Sequence, residues 1–363
     1  MASGIRLTTF SHGAGCACKL GIRDLSTVLD LVGVTPKPEE VLVSEETGDD
    51  AAVYRMGDGE ALVATVDMFT PIVDDAYDWG RIAAANALSD VYAMGGVPKI
   101  ALNVAAWPVD DVPLELLADV LRGGRDIASL AGVAVVGGHT ITSAEPIYGM
   151  VAIGFADPER LLRNSTAEPG MALVLTKPIG TGLIATAIKR QVATERQARA
   201  AVDTMTGLNA AASAAALEAG AGAATDVTGF GLLGHLRRLL EASGCAATLD
   251  AAAVPLLPGV LQLAQRDVVA GGTKRNHAWL QPTTDWGALT LPEQLVLADA
   301  QTSGGLLLAT RDADALGAAL EVRGVRFARI GEVVTGDVGA ISIRGRVAGE
   351  RVVGDGLGAA VAP

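Results

Sequence analysis

The sequence predicts a two-domain α/β protein, with an N-terminal half over 21–157 and a C-terminal half over 168–363, preceded by an arm of residues 1–20. Three observations carry this. Short apolar runs of strand length alternate with longer stretches whose apolar residues recur at helical spacing. Glycine-rich junctions separate them. The polar stretch DPERLLRNSTAEPG (157–170) interrupts the alternation once, near the middle of the chain.

The elements follow in order. EALVATVDM (60–68) reads as a buried strand, and DWGRIAAANALSDVYAMG (78–95) as a helix that its glycines stop. KIALNVAAW reads as a strand, PLELLADVLRGGRDIASLAG as a helix, and VAVVGGHT and IYGMVAIGFA as two further strands. MALVLTKPIGTGLIATAIKR opens the second half as strand, turn and helix, with further Gly-rich junctions in AATDVTGFGLLGHLRRLLEASG and QTSGGLLLAT. The first 20 residues show no clear period, which predicts a mobile arm.

Composition excludes whole classes of function. At 363 residues, 50% of them apolar and 19% charged, the chain can bury two cores and is not disordered. Its net charge of −13 disfavours a nonspecific grip on nucleic acid or on an anionic membrane, both of which want clustered cations. A phosphate ligand must then be held locally, by backbone amides, a few Lys or Arg, and a divalent metal bridging to Asp. No signal-peptide core opens the chain and no membrane-length apolar run occurs, which predicts a cytoplasmic protein. Three cysteines in so long a chain make no disulfide framework. The sequon NST (164–166) reads as loop.

Candidate chemistry gathers in short stretches. Asp49 and Asp50, Asp67, Asp90 and Asp226 sit at or beside predicted element ends. Carboxylates from separate segments, with no histidine cluster, suit a hard cation such as Mg²⁺ that also bridges phosphate oxygens. Each Asp taken alone reads rather as a cap or turn residue than as a ligand, and Asp74 and Asp75 read as a solvated turn. The glycines of TDVTGFGLLGH could form a tight turn or offer amides to phosphate.

In SHGAGCACK (11–19), Cys16, Cys18 and His12 make too few ligands for a zinc site, and C-x-C is short for a disulfide. Lys19 and nearby amides would lower a thiol pKa, which predicts a reactive thiolate. Cys245 reads as core packing.

Taken together, IRLTTFSHGAGCACKL, TGDDAAVYR, VDMFTPIVDDAYDWGRIAAANALSDVYAMGG, GGHT, NSTAEPG, TDVTGFGLLGHL, GGTKRN and QTSGGLLL resemble, in this order, the selenophosphate synthetase (selenide, water dikinase) family. The likeness runs from about residue 5 to beyond 340. The wider superfamily of aminoimidazole ribonucleotide synthetase-like ATP enzymes shares the Asp/Gly pattern but not the Cys-x-Cys-Lys arm. The resemblance implies that selenide, ATP and water give selenophosphate, AMP and phosphate, with Mg²⁺ and K⁺ as ions. It implies a homodimer whose N-terminal mixed sheets pair into a barrel, with a C-terminal α/β domain beside each.

Residue by residue, Cys16 resembles the family's catalytic cysteine or selenocysteine, and Lys19 the lysine that contacts ATP phosphates. Asp50, Asp90 and Asp226 match Mg²⁺ ligands, with Asp67 at the nucleotide phosphates; Asp90 is expected to serve both. Thr47, Gly48 and Asp49 match an ATP-contacting segment, and Gly138, His139 and Thr140 one supplied by the other subunit. Ala17 and Ala300 depart from the family's usual glycine and proline. A selenium-delivery protein is a further expected partner. Two competing expectations are a related ATP enzyme, such as thiamine phosphate kinase, and a thiol-based selenium carrier without turnover.

Overall fold

The computed structural model describes residues 5–11, 13, 15, 22–33, 36–44, 48–57 and 59–348. Cys16, Cys18, Lys19, Thr47 and His12, which carry the expected thiol chemistry and one ATP contact, lie outside the described residues.

The N-terminal unit contains α1 (Ile22–Val32), β1 (Val41–Val43), β2 (Ala52–Gly57), β3 (Glu60–Phe69), α2 (Ala76–Ala93), β4 (Val97–Trp107), α3 (Leu114–Leu130), β5 (Ala134–Thr142) and β6 (Ile147–Ala156). Its sheet runs β1-β2-β3-β6-β4-β5, antiparallel except for the β4–β5 pair that α3 connects. The predicted mixed sheet is present. Asp75 accepts the amide of Asp78 at 2.8 Å and starts α2, so it is a helix cap rather than a solvated turn residue.

Helices α2 and α3 cover one face of this sheet. They approach closely because glycine faces backbone: a Cβ on Gly80 would stand 1.9 Å from the Val120 carbonyl oxygen, and one on Gly123 2.0 Å from that of Tyr77. Trp79 stacks on Trp107 at 6.3 Å and meets Tyr148 edge-on at 6.2 Å beneath them. Among the described residues, the other sheet face is left exposed. Tyr54, Met56, Val66, Met68, Ile100, Val136 and Ile141 are all exposed on this unit.

The C-terminal unit contains β7 (Ala172–Leu175), α4 (Thr181–Lys189), α5 (Glu195–Thr206), α6 (Ala210–Glu218), β8 (Ala223–Asp226), α7 (Gly231–Ser243), β9 (Ala246–Asp250), α8 (Val260–Gln265), α9 (Gly271–Leu280), β10 (Thr284–Asp285), α10 (Leu291–Leu297), β11 (Leu306–Thr310), α11 (Ala313–Val322), β12 (Ala328–Val334) and β13 (Ile341–Arg344). Its sheet runs β10-β13-β9-β12-β7-β11-β8. Strands β7 and β11 are buried at every position and apolar almost throughout, as central strands covered on both faces are, and the edge strand β8 is buried as well.

Helix α2 belongs to both units. Nearly all its residues are buried, and it packs on β3 and β6 on one side and on α5, α6 and β8 on the other. A helix enclosed all round must satisfy its polar side chains internally. Ser89 accepts from the Asn209 amide at 2.8 Å, and the Tyr92 carbonyl accepts from Ser213 Oγ at 2.6 Å.

Candidate functional site

Alternation along β3 turns Thr65 and Asp67 inward to α2, where Asn86 and Asp90 stand one turn apart. Thr65 Oγ1 donates to Asp90 Oδ2 at 2.5 Å, and Asn86 Nδ2 donates to Asp67 Oδ2 at 2.6 Å. Asn86 Oδ1 accepts the backbone amide of Ser303 at 2.8 Å. Asn86 thus ties Asp67 to the loop 301–305 of the other unit, a role that sequence reasoning missed.

A second carboxylate pair forms where β2 begins and β8 ends. The Asp226 amide and the Thr225 hydroxyl donate to the two Asp50 oxygens at 3.2 and 3.1 Å. Burial, with the negative charges of Asp226 and Asp49, pushes the Asp50 carboxyl well above its ordinary range. Behind this pair stands His235 of α7. Its Nε2 accepts the Thr228 amide at 3.1 Å, which leaves the ring proton on Nδ1, 3.4 Å from Thr225 Oγ1. His235 donates to Thr225 and Thr225 to Asp50, and this chain orients the accepting carboxylate.

Lys177 follows the buried strand β7. Its ammonium donates to the carbonyls of Gly207 at 2.6 Å and Ser303 at 3.1 Å. Burial lowers its pKa to about 7, against the opposing pull of Asp226. The one signal available in the sequence was a lysine two residues after an all-apolar strand. Ser303, between Lys177 and Asn86, has φ +49, and its buried Oγ has no hydrogen-bond partner among the described residues. Backbone strain of this kind collects at working sites.

Asp49 is otherwise occupied. It accepts the Asn164 amide at 2.6 Å while Asn164 Nδ2 donates to the Gly48 carbonyl at 2.9 Å, which pins segment 48–49 to the NST turn. Gly48 has φ +63, and a Cβ there would fall 1.5 Å from the Arg238 guanidinium, so this cation lies against the segment. Arg238 was not foreseen either.

The described part of the arm is docked. Asp74 receives Thr8 Oγ1 at 2.6 Å and Arg6 Nε at 2.9 Å, so it anchors the N-terminus instead of forming a solvated turn. Lys189 donates to the Gly13 carbonyl at 3.0 Å. A Cβ on Gly15 would stand 2.5 Å from both Ile72 Cδ1 and Thr302 Oγ1, so the residue preceding Cys16 lies against loop 301–305.

Gly138, His139 and Thr140 are on the far edge strand. Gly138 registers with Asn103, Asn103 with Met150, and Met150 with Asp67. Three strand spacings, roughly 14 Å, therefore separate them from Asp67. Cys245 is buried core, as expected. Among the described residues no group of three His, Cys, Asp or Glu side chains stands ready to hold one metal ion. The donor set itself is all oxygen, and a divalent cation would relieve the charge crowding at Asp50, so the residues fit a hard cation.

A buried helix shared by a mixed sheet and a second α/β unit, with carboxylates at their junction, defines a class. The AIR synthase related protein N-terminal domain matches residues 48–156, and the C-terminal domain of the same proteins matches 168–344. Solved structures with this fold include thiamine-monophosphate kinase from Stenotrophomonas maltophilia, at 21% identity and TM-score 0.63 over 91% of this chain and 98% of that one. The hydrogenase maturation protein HypE in complex with ATP aligns at 20% identity and TM-score 0.59 over 82% and 85%.

Within this class the chain belongs to the selenide, water dikinase family. It is 48% identical to the selenide, water dikinase of Myxococcus xanthus over 92% of this chain and 96% of the relative. It is 43% identical to that of Carboxydothermus hydrogenoformans over 94% and 99%.

Proposed function

We propose that this chain is a selenophosphate synthetase, which uses ATP and water to convert selenide to selenophosphate with release of AMP and phosphate. The observation that carries it is the convergence on loop 301–305. Gly15 beside Cys16, Asn86 holding Asp67, and Lys177 near Asp226 all meet there.

Hydroselenide is ionised at neutral pH and strongly nucleophilic, so the protein needs no base for it; alignment and charge neutralisation dominate phosphoryl transfer. Selenium forms a bond to the γ-phosphorus while the bond to the bridging oxygen breaks, its electron pair staying on ADP; water then cleaves ADP to AMP and phosphate. Mg²⁺ held by Asp50, Asp90 and Asp226 would supply Lewis-acid neutralisation of the phosphates. Asp67, Thr47, Gly48 and Asp49 would position the nucleotide, Arg238 and Lys19 would add positive charge, and Cys16 would hold or place selenium under the closed arm. The arm (1–20) and the two domains (21–157 and 168–363) are the working parts. K⁺ as a second ion, a selenium-delivery protein and a cytoplasmic setting complete the assignment; among the described residues no helix is long and apolar enough to cross a membrane.

The bare face of the first sheet is the surface for a second copy, sheet against sheet in a barrel. Gly138, His139 and Thr140, too far from Asp67 in their own chain, would then serve the partner's nucleotide. The test of the reaction is anaerobic ³¹P NMR with ATP, Mg²⁺, K⁺ and selenide. Selenophosphate with equal AMP and phosphate is expected; ADP accumulating alone would move the chain to another branch of the class, and no ATP consumption would revive a carrier.

A further inference from the structure

A cavity of about 320 Å³ opens in the C-terminal unit, at the end of β7, and it shares only Lys177 with the carboxylate junction and its neighbours. Its size falls within the range of small-molecule sites. Leu175, Thr176 and Lys177 form one side, α5 a second, the segment 255–258 a third, and Arg326 with Phe327 the fourth.

The lining has two characters. Leu257, Phe327, Pro178 and Pro258 present an apolar wall, while Lys177, Arg196 and Arg326 present cations against a single carboxylate, Asp203. That is a local excess of positive charge in a chain whose net charge is −13. Guanidinium forks suit a dianionic phosphate, which accepts paired N–H bonds. An ammonium has three donors, and Lys177 spends two of them on the Gly207 and Ser303 carbonyls. One remains. Both carbonyl partners are neutral; Asp226 offsets the buried ammonium only in part, and an anion in the cavity would offset it further.

We infer that this cavity is a second ligand site, separate from the carboxylate junction, that takes a small phosphate monoester carrying a flat apolar ring. The phosphate meets Arg326, Arg196 and the free donor of Lys177, and the ring lies on the wall of Leu257 and Phe327. Because Lys177 also holds the Ser303 carbonyl, an occupant is one hydrogen bond from loop 301–305.

Pyridoxal 5′-phosphate is the probe. The Lys177 amine attacks its aldehyde carbon, water leaves, and borohydride delivers hydride to the resulting imine, fixing a secondary amine that peptide mapping locates. The full chain is expected to be labelled at Lys177 at pH 7.5 and protected by pyridoxine 5′-phosphate, which has the ring and phosphate without the aldehyde. Saturating MgATP should leave this labelling unchanged. Arg326→Glu, an exposed position whose change spares the fold, should reduce it at least tenfold. Absence of label at Lys177 would overturn the site, as would label indifferent to Arg326→Glu. Protection by MgATP would make the cavity part of the nucleotide site, and equal protection by inorganic phosphate would remove the role of the ring. None of these outcomes depends on whether selenide is phosphorylated.

Discussion

His235 shows how one side chain can matter without meeting a substrate. Its tautomer is set by the Thr228 amide, and its Nδ1–H reaches Asp50 through Thr225. Second-sphere partners of this kind are worth ten- to a hundredfold in metal affinity or activity. His235→Ala should lower kcat/KM for MgATP by roughly tenfold or more. His235→Asn, which keeps a donor near the Nδ1 position, should recover much of it. Equal loss in both variants would mean that His235 only fills space. The carboxylates were legible in sequence because Asp beside Gly-rich junctions is a recognisable pattern. Asn86, Lys177 and His235 were not, because their importance comes from contacts between segments far apart in the chain. Asp74 was misread for the same reason: its partners Arg6 and Thr8 are nearly seventy positions away.

Among the elements, those from β3 to β6 and the β7–α4 pair were readable from period and length, since their apolar positions face one core; α1, β1, β2 and most elements after α4 were not. Sheet order was not, because pairing such as β6 between β3 and β4 is set by how the whole unit closes. The outward positions of β3 matter most for assembly. Val66 is 55% exposed and Met68 38%, on a face that carries large apolar residues from several strands. Patches of this kind mark interfaces. Val66→Asp should sediment as a monomer at concentrations where the parent chain is a dimer. Its melting temperature when monomeric should change little, because the substitution lies on the surface. A parent chain that is itself monomeric would remove the barrel.

For the whole molecule, two buried groups oppose each other in pH. Burial pushes Asp299 up to about 7, although Thr273, Leu183 and Gln301 donate to it. Its folded pKa is raised above the unfolded value of 3.8, so its contribution is fully present below pH 3.8 and is lost as pH rises toward 7. Lys177 has a folded pKa of about 7, below its unfolded 10.5, so the folded state regains stability as pH rises from 7 to 10.5. Together they place a dip near neutrality, each arm on the order of 4 kcal/mol. Through these two groups, metal-free protein should melt lower at about pH 7 than at roughly 5.5 or 8.5. Asp299→Asn should flatten the acid arm and Lys177→Met the alkaline one. Arms unchanged in the variants would assign the dip elsewhere.

Helix α2 has a mechanical consequence. The polar stretch at 157–170 reads as a linker, yet Asn86, Ser89 and Tyr92 join α2 to Ser303, Asn209 and Ser213 across it. The seam behaves as a weld and not as a hinge. Opening the two halves like a clamshell would break these bonds and wet a helix with almost no polar face, so substrates must enter past loops and arm. By the same token, a chain severed between the halves yields fragments that are each unfinished on the side of α2, and that regain their shape only by finding one another.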